Sequence, residues 1–285
     1  MIHVTPYAGL NAVLSHLLEG ARALLGDNFI GAYLQGSFAV GDFTPYSDCD
    51  FIIVTRRDLA RDELPPFQAL HAAIHELPEP YWRTGLEGSY APIDVLCRWS
   101  TTPRDPPGEP RPDDWADPGT SGSPPLAYPF WYLDHGSKTL VRSEHDNTRV
   151  VRWCLREKGV VLAGPHPREF VEPVTPEALK AEVRATMGRW LATGLEPMHL
   201  VAFQAFWVGL FCRILHTLEV GEVTSKKAAM TWARGAFDPS FCGLIERAQA
   251  LKKGASEAEL PADPAEIAAT RAFVAYAMRV AERLG

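Results

Sequence analysis

The chain has 285 residues and a formal net charge of −7, from 28 Lys and Arg against 35 Asp and Glu. Its 46% hydrophobic and 22% charged residues are the proportions of an ordinary globular protein and exclude general disorder. The length suffices for two domains or for one large one. The acidic balance disfavours a nucleic-acid partner and suits a cationic substrate.

Three features of the sequence concern the compartment. The first eight residues lack the basic start and apolar stretch of a signal peptide, and no apolar run reaches about 18 residues. The five cysteines form no CxxC pair, which disfavours a disulfide framework or a zinc knuckle. We therefore expect a cytoplasmic protein that does not bind a membrane.

The N-terminal half alternates between helical and extended patterns. Residues 8–25 carry apolar side chains at helical spacing, and Gly26 follows as a C-terminal signal. Further on, the pattern predicts strands at 29–34, 50–54, 86–91 and 93–98, and a helix at 60–76.

The composition changes between Pro103 and Pro129, where nine of the 24 prolines lie, and this stretch is predicted to be a long loop or surface excursion. Helical patterns follow at 147–163, 176–193, 198–219, 225–235, 239–252 and 263–284. The predicted fold is α+β, with a small mixed-sheet domain over 1–145 that includes the excursion at 103–129. An all-helical bundle domain follows over 146–285.

One segment carries a recognisable chemistry. Gly36 and Ser37 follow a predicted strand, where the backbone can approach a phosphate. Asp48 and Asp50 are two residues apart at the start of the next strand, so both carboxylates project from one face. Paired carboxylates that open an apolar run fit Mg²⁺, which takes carboxylate oxygens together with water and substrate phosphates.

A third carboxylate on another strand would complete a two-metal site for phosphoryl transfer. Glu87 and Asp94 are the two candidates, since both lie in predicted strands. The alternative for Asp94 is a purely structural role, as an acidic residue at a strand edge or in a turn.

The spacing Gly-Ser, nine residues, Ser-Asp-x-Asp resembles the signature of the DNA polymerase beta-like nucleotidyltransferase superfamily. Nearly the whole chain resembles the bacterial aminoglycoside adenylyltransferases that modify streptomycin and spectinomycin. In the C-terminal half the resemblance lies in Leu162–Pro165, Phe211–Ile214 and Gly221–Ala233.

This resemblance implies an enzyme that moves AMP from ATP to a hydroxyl of an aminoglycoside-like cationic molecule and releases pyrophosphate. The enzyme would act as a monomer or weak oligomer. Two alternatives stay open: transfer to another acceptor, such as a lincosamide, a metabolite or a protein, and a non-catalytic nucleotide-binding module.

The resemblance also assigns the first domain's residues. Asp48 and Asp50 would bind Mg²⁺, expected as two ions. Glu87 would take the proton from the acceptor hydroxyl and contact metal, and it keeps the family's spacing better than Asp94 does. Gly36, Ser37 and Ser47 would bind the nucleotide.

In the helical domain the resemblance implies that Lys226 and Arg213 bind the phosphates of the nucleotide. It also implies that the acceptor binds between the two halves of the chain. Arg213 lies within an apolar helix, so we expect a buried guanidinium that needs an anionic partner. Trp190 matches a tryptophan that contacts the drug in streptomycin-modifying members, and the alternative is a core residue, as aromatic side chains near a helix end more often are. Glu196 is the nearby acid for the drug contact.

The segment Ser143–Asn147 holds adjacent acids and His145, and His135 precedes it. Adjacent side chains point in different directions, and Asp146 or Asn147 makes a good helix N-cap. The capping interpretation is therefore favoured over a metal or acid–base role.

Overall fold

The computed structural model describes residues 3–45, 47–100, 128–192, 198–251 and 260–284. The chain divides into two compact units, Met1–Pro173 and Val174–Gly285. This division falls later than the expected boundary at residue 145. The reason is that a helix, α5 (Arg149–Lys158), and a strand, β6 (Val160–Ala163), belong to the first unit.

The first unit is built on a six-stranded mixed sheet. Besides β6, its strands are β1 (Phe29–Leu34), β2 (Cys49–Thr55), β3 (Leu86–Pro92), β4 (Phe130–Leu133) and β5 (Leu140–Ser143). Their spatial order is β5-β4-β3-β2-β1-β6, and of these neighbouring pairs only β2–β3 is parallel. The helices are α1 (Ala8–Leu25), α2 (Gly36–Ala39), α3 (Leu64–His75), α4 (Ile93–Leu96) and α5.

Two apolar cores cover the two faces of this sheet. The α1 and α3 helices pack with Cys49, Phe51 and Ile53 of β2 on one face. On the other face, Ile52 and Val54 pack against residues of β3, β4 and α5. Because side chains alternate along a strand, Asp50 lies on this second face, near the N-terminal end of β2.

The secondary structure differs from the sequence-based expectation in three places. The predicted strand at 93–98 is wrong, because Ile93–Leu96 forms a helical turn after Pro92. The predicted helix at 147–163 is also wrong beyond Lys158: Gly159 ends α5, and the apolar run at 160–163 pairs with β1. Strands β4 and β5 were not predicted. The excursion at 103–129 lies almost entirely outside the described residues.

A buried ion pair joins the β4–β5 edge to the rest of the sheet. Arg142 of β5 approaches Asp58, beyond the end of β2, with Nη2 and Oδ2 2.6 Å apart and both side chains largely buried. The Tyr128 hydroxyl donates to the same oxygen over 2.6 Å, and the guanidinium lies 3.9 Å from the Trp131 ring centroid. This network fixes the position of β4, which contributes to the site described below.

His71 of α3 predicts a pH-dependent stability. Its ring is 1% exposed, and its Nε2 lies 3.0 Å from the Tyr90 hydroxyl of β3. Burial lowers the pKa of His71 to about 4, from an ordinary value of 6.5. Between these values the unfolded chain binds a proton that the native protein does not, so the free energy of unfolding falls as the pH drops.

For His71 alone, we expect the free energy of unfolding to be about 2 kcal/mol lower at pH 5 than at pH 7. His71→Gln removes the titrating group, so its urea-unfolding curves at these two pH values should differ less than those of the wild type, by about this amount. Equal pH dependence in both proteins would contradict the assignment.

In the second unit, the described residues form helices and the segments that connect them. Its helices are α6 (Pro176–Ala192), α7 (Val201–Val220), α8 (Lys226–Ala236), α9 (Cys242–Ala250) and α10 (Pro264–Arg283). Helix α7 packs against each of the other four and is their centre. Together the two units give an α+β fold, a mixed-sheet domain followed in sequence by a helical one.

By length and composition, α7 is apolar enough to cross a membrane. Just over half of its most apolar stretch is buried within the protein. Helices at the centre of soluble bundles have the same property, so the pattern does not by itself indicate a membrane protein.

Candidate active site

The pairing of β2 with β3 brings two of the predicted acids together. The strands are parallel, and Asp50 lies opposite Glu87 in the register. Neighbouring strands are about 4.8 Å apart, and register partners share a face, so these carboxylates are adjacent. Asp48 precedes β2 and lies close to Glu87, as the distances below show.

Gly36 is required for this arrangement because of its contact with Asp50. It adopts φ +57°, and a Cβ atom there would lie 1.9 Å from Asp50 Oδ2. The preceding Gln35 donates its backbone N–H to the Asp50 carbonyl over 2.9 Å. The glycine predicted to approach a phosphate therefore also makes room for a carboxylate of the site.

Ser37 follows in the short helix α2. Its hydroxyl oxygen is buried and has no hydrogen-bond partner among the described residues. Buried hydroxyl groups almost always have a partner, so this oxygen is a candidate ligand-binding atom. Ser47, in contrast, accepts the Thr44 backbone N–H over 2.8 Å and so closes a turn in the loop before Asp48.

Glu87 is oriented by two side chains from outside its strand. The Tyr132 hydroxyl donates to Oε1 over 2.5 Å, and His145 Nε2 lies 3.4 Å from the same oxygen. The two rings are stacked, with centroids 4.9 Å apart. Burial raises the pKa of Glu87, and the Tyr132 hydrogen bond acts in the opposite direction.

Asp146, the residue after His145, is only 3% exposed. Its Oδ2 accepts the Ser89 hydroxyl over 2.6 Å, and its Oδ1 accepts the Gln35 side-chain amide over 2.8 Å. Burial raises the pKa of Asp146, against the effects of His145 and both hydrogen bonds. The carboxylate thus links β3 and the end of β1 to the segment before α5.

The capping interpretation of this segment is therefore wrong. Thr148 is the N-cap of α5, and its side chain accepts the Val151 backbone N–H. Asn147 instead donates to the Tyr128 carbonyl and accepts from Arg152. Both Asp146 and Asn147 serve tertiary contacts.

A three-residue group lies at the end of the sheet where β2 and β3 begin. His135 Nδ1 is 2.7 Å from Asp48 Oδ1, and one ligating atom from each of Asp48, Glu87 and His135 lies within 4.8 Å of the others. Asp50 is not part of this group, and its Oδ2 lies towards Gly36. The convergence of the Asp48 and Glu87 oxygens fits Mg²⁺, which prefers hard oxygen ligands.

Asp94 lies away from this group. It lies in the first turn of helix α4, which follows the C-terminal end of β3, whereas Glu87 is near the N-terminal end of β3, opposite Asp50. It lines a small cavity of about 150 Å³ with Tyr128, Asn147 and Arg152. The geometry therefore favours Glu87 as the third carboxylate.

Comparison with known proteins finds a family match in each half of the chain. Residues 169–277 match the family model described as the aminoglycoside adenylyltransferase C-terminal domain. Residues 16–80 match the nucleotidyltransferase domain model, and the two matches together span more than half of the chain. The chain belongs to the aminoglycoside adenylyltransferase family. It is accordingly an enzyme, a nucleotidyltransferase.

Among solved structures, this adenylyltransferase is similar to the spectinomycin adenyltransferase AAD(9) from Enterococcus faecialis, determined with ATP and spectinomycin. The TM-score is 0.61 at 13% sequence identity, and the match covers 95% of this chain and 98% of that one. At this identity the similarity shows the fold. No curated protein sequence matches the chain.

The matched ranges cover only part of the site in this adenylyltransferase. Gly36, Ser37, Asp48 and Asp50 lie within the nucleotidyltransferase match, which ends at residue 80. Glu87 lies outside both matches, as do Tyr132, His135, His145 and Asp146. The role of Glu87 therefore depends on geometry and experiment.

In the helical unit, Lys226 and Arg213 are both exposed. The expectation of a buried Arg213 is wrong, because it lies on the exposed stripe of α7 with Phe206 and Val220 at seven-residue spacing. Lys226 is the first residue of α8 after the Ser225 cap, and its side chain lies beside Gly209.

Trp190 of α6 belongs to an aromatic cluster of the helical unit. It is half-buried, with its ring centroid 5.4 Å from that of Trp207 and 6.2 Å from that of Phe206. Glu196 lies outside the described residues.

Proposed function

We propose that this enzyme transfers AMP from MgATP to a hydroxyl of a cationic, aminoglycoside-type small molecule and releases pyrophosphate. The observation that carries the proposal is the placement of Glu87. Its side chain is 16% exposed, accepts a hydrogen bond from Tyr132, and lies opposite Asp50 and near Asp48, in a domain of the nucleotidyltransferase family.

In the proposed reaction, Glu87 takes the proton from the acceptor hydroxyl. The hydroxyl oxygen forms a bond to the α-phosphorus of ATP, and the bond from that phosphorus to the bridging oxygen breaks. Pyrophosphate leaves with the electron pair of that bond. Tyr132 occupies Glu87 Oε1, so the other carboxylate oxygen is available to the acceptor.

The residues proposed to bind Mg²⁺ are Asp48, Asp50 and Glu87, with two ions expected. When bound, the metal neutralises charge on the triphosphate and orients it for in-line displacement. Ser37, whose buried hydroxyl has no described partner, would donate to the outer phosphates, and Gly36 and Ser47 would shape that loop.

Two cationic residues of the helical unit complete the proposed nucleotide set. Lys226 and Arg213 are exposed and belong to the region that matches the adenylyltransferase C-terminal domain. Charge-assisted hydrogen bonds from such groups would stabilise the phosphates. Trp190 and Glu196 are the proposed acceptor contacts, and the net charge of −7 favours a cationic acceptor.

All five cysteines are free thiols, which supports the proposal of a reducing, cytoplasmic compartment. We further propose that the enzyme acts as a monomer or weak oligomer without a nucleic-acid partner.

Pyrophosphate release from MgATP tests the proposed function directly. We expect release in the presence of at least one member of a panel of aminoglycosides, including streptomycin and spectinomycin, and no release without an acceptor. Mass spectrometry of that acceptor should show one added adenylyl group. Activity only with a lincosamide, a metabolite or a protein would replace the acceptor class, and ATP binding without release under any acceptor would contradict the transferase.

A further inference from the structure

We infer that Asp48, Glu87 and His135 form a binding site for a divalent transition-metal ion, which takes Zn²⁺ more tightly than Mg²⁺. An imidazole beside the two carboxylates sets this group apart from an all-oxygen magnesium site. Imidazole is a good ligand for zinc and other late first-row metals, whereas magnesium prefers carboxylates, carbonyls and water. His135 therefore changes which ion the group favours.

The distances suit coordination by the three side chains. Ligands of a tetrahedral zinc at about 2.0–2.2 Å from the ion lie roughly 3.4 Å from one another. The ligand atoms here are all within 4.8 Å of one another. Displacements of these atoms by about one ångström would therefore bring them to the spacing of a zinc site. Three ligands with an open position are typical of catalytic rather than structural zinc sites. The His135 and Asp48 side chains are 47% and 28% exposed, which leaves that position accessible.

The backbone of the loop that carries His135 is fixed by two hydrogen bonds. The Gly136 backbone N–H donates to the Thr84 carbonyl over 3.1 Å, just before β3. Within the loop, the side chain of Asp134 accepts the His135 backbone N–H over 2.9 Å. The first of these bonds places His135 beside the strand that bears Glu87.

The carboxylate ligand is oriented in a similar way. Tyr132 donates to Glu87 Oε1 over 2.5 Å, and its hydroxyl is also 3.3 Å from Asp134 Oδ1. Hydrogen bonds of this kind to metal ligands fix their orientation and contribute to affinity. One residue, Asp134, therefore connects the supports of both the imidazole and the carboxylate.

Metal titration of the chelator-treated protein, without ATP or acceptor, tests this inference. By isothermal titration or chelator competition we expect Zn²⁺ to bind more tightly than Mn²⁺, and Mn²⁺ more tightly than Mg²⁺. His135→Asn should weaken Zn²⁺ binding at least tenfold and change Mg²⁺ binding less than twofold. His16→Asn, which alters an exposed histidine of α1, is the matched control and should bind Zn²⁺ like the wild type.

A spectroscopic measurement separates coordination from a merely structural role. With Mn²⁺ bound, pulsed electron paramagnetic resonance should show coupling to an imidazole nitrogen, which disappears in His135→Asn. Unchanged Zn²⁺ affinity in that variant, or equal loss of Zn²⁺ and Mg²⁺, would overturn the inference, and far-UV circular dichroism verifies that the variant folds. Because no nucleotide is present, this test can fail while the transferase activity stands, and the reverse.

Discussion

Glu87→Gln should reduce nucleotidyl transfer by about 10²–10⁴-fold, the usual contribution of a general base, while ATP still binds. The amide keeps the size of the side chain and an oxygen for the Tyr132 hydrogen bond, but it cannot take a proton from the acceptor hydroxyl. Single-turnover formation of adenylylated acceptor measures the loss, and equilibrium binding of a fluorescent ATP analogue measures nucleotide affinity.

Asp94→Asn is the matched control, since Asp94 was the other sequence candidate for the third carboxylate. It lies at the start of α4, beyond the opposite end of β3 from Glu87. We expect its turnover to stay within about twofold of the wild type. An active Glu87→Gln enzyme together with an inactive Asp94→Asn enzyme would reverse the assignment of the base.

The core of the site could be predicted because its signals are local in sequence. Asp48 and Asp50 lie two residues apart before an apolar run, and Gly36 and Ser37 follow the preceding strand. Strand alternation predicts both carboxylates on one face. In the structure Asp48 precedes β2, and Asp48 without Asp50 joins Glu87 in the group of converging ligand atoms. The family resemblance assigned Glu87 as the third carboxylate, and the β2–β3 register of the structure places it opposite Asp50.

The residues around Glu87 could not be predicted in the same way. Tyr132 reaches the site because β4 pairs antiparallel with β3, with Tyr132 opposite Ser89. Nothing local in Phe130–Leu133 specifies that partner, since any sheet edge accepts a short aromatic strand. Asp146 looked like a cap because its role depends on Gln35 and Ser89, both distant in sequence.

Arg213 shows a different limit of sequence patterns. Helix α7 is apolar on most faces, which predicted a buried guanidinium. A helix packed against four others still leaves one narrow stripe to solvent, and Phe206, Arg213 and Val220 occupy it. Because Phe206 and Val220 are apolar, the sequence lacks the polar residues at helical spacing that would have predicted an exposed Arg213.

Gly36→Ala should disrupt the site from the backbone. The added Cβ would lie 1.9 Å from Asp50 Oδ2 and 2.6 Å from its Cγ, so the carboxylate must move. Displacement of a catalytic group by about one ångström can cost roughly 10²-fold in rate. We expect at least this loss of turnover. We also expect about 1–2 kcal/mol of destabilisation, because φ is +57° and L side chains disfavour this conformation.

Gly41→Ala separates these two effects. Gly41 has a similar positive φ of +71°, but an added Cβ there would have no heavy atom within 4 Å. It should therefore show a similar loss in the free energy of unfolding by urea and keep most of its turnover. The difference in turnover between the two variants then measures the contact with Asp50 alone. If both variants lose activity equally, loop strain and not the Asp50 contact explains the need for glycine at position 36.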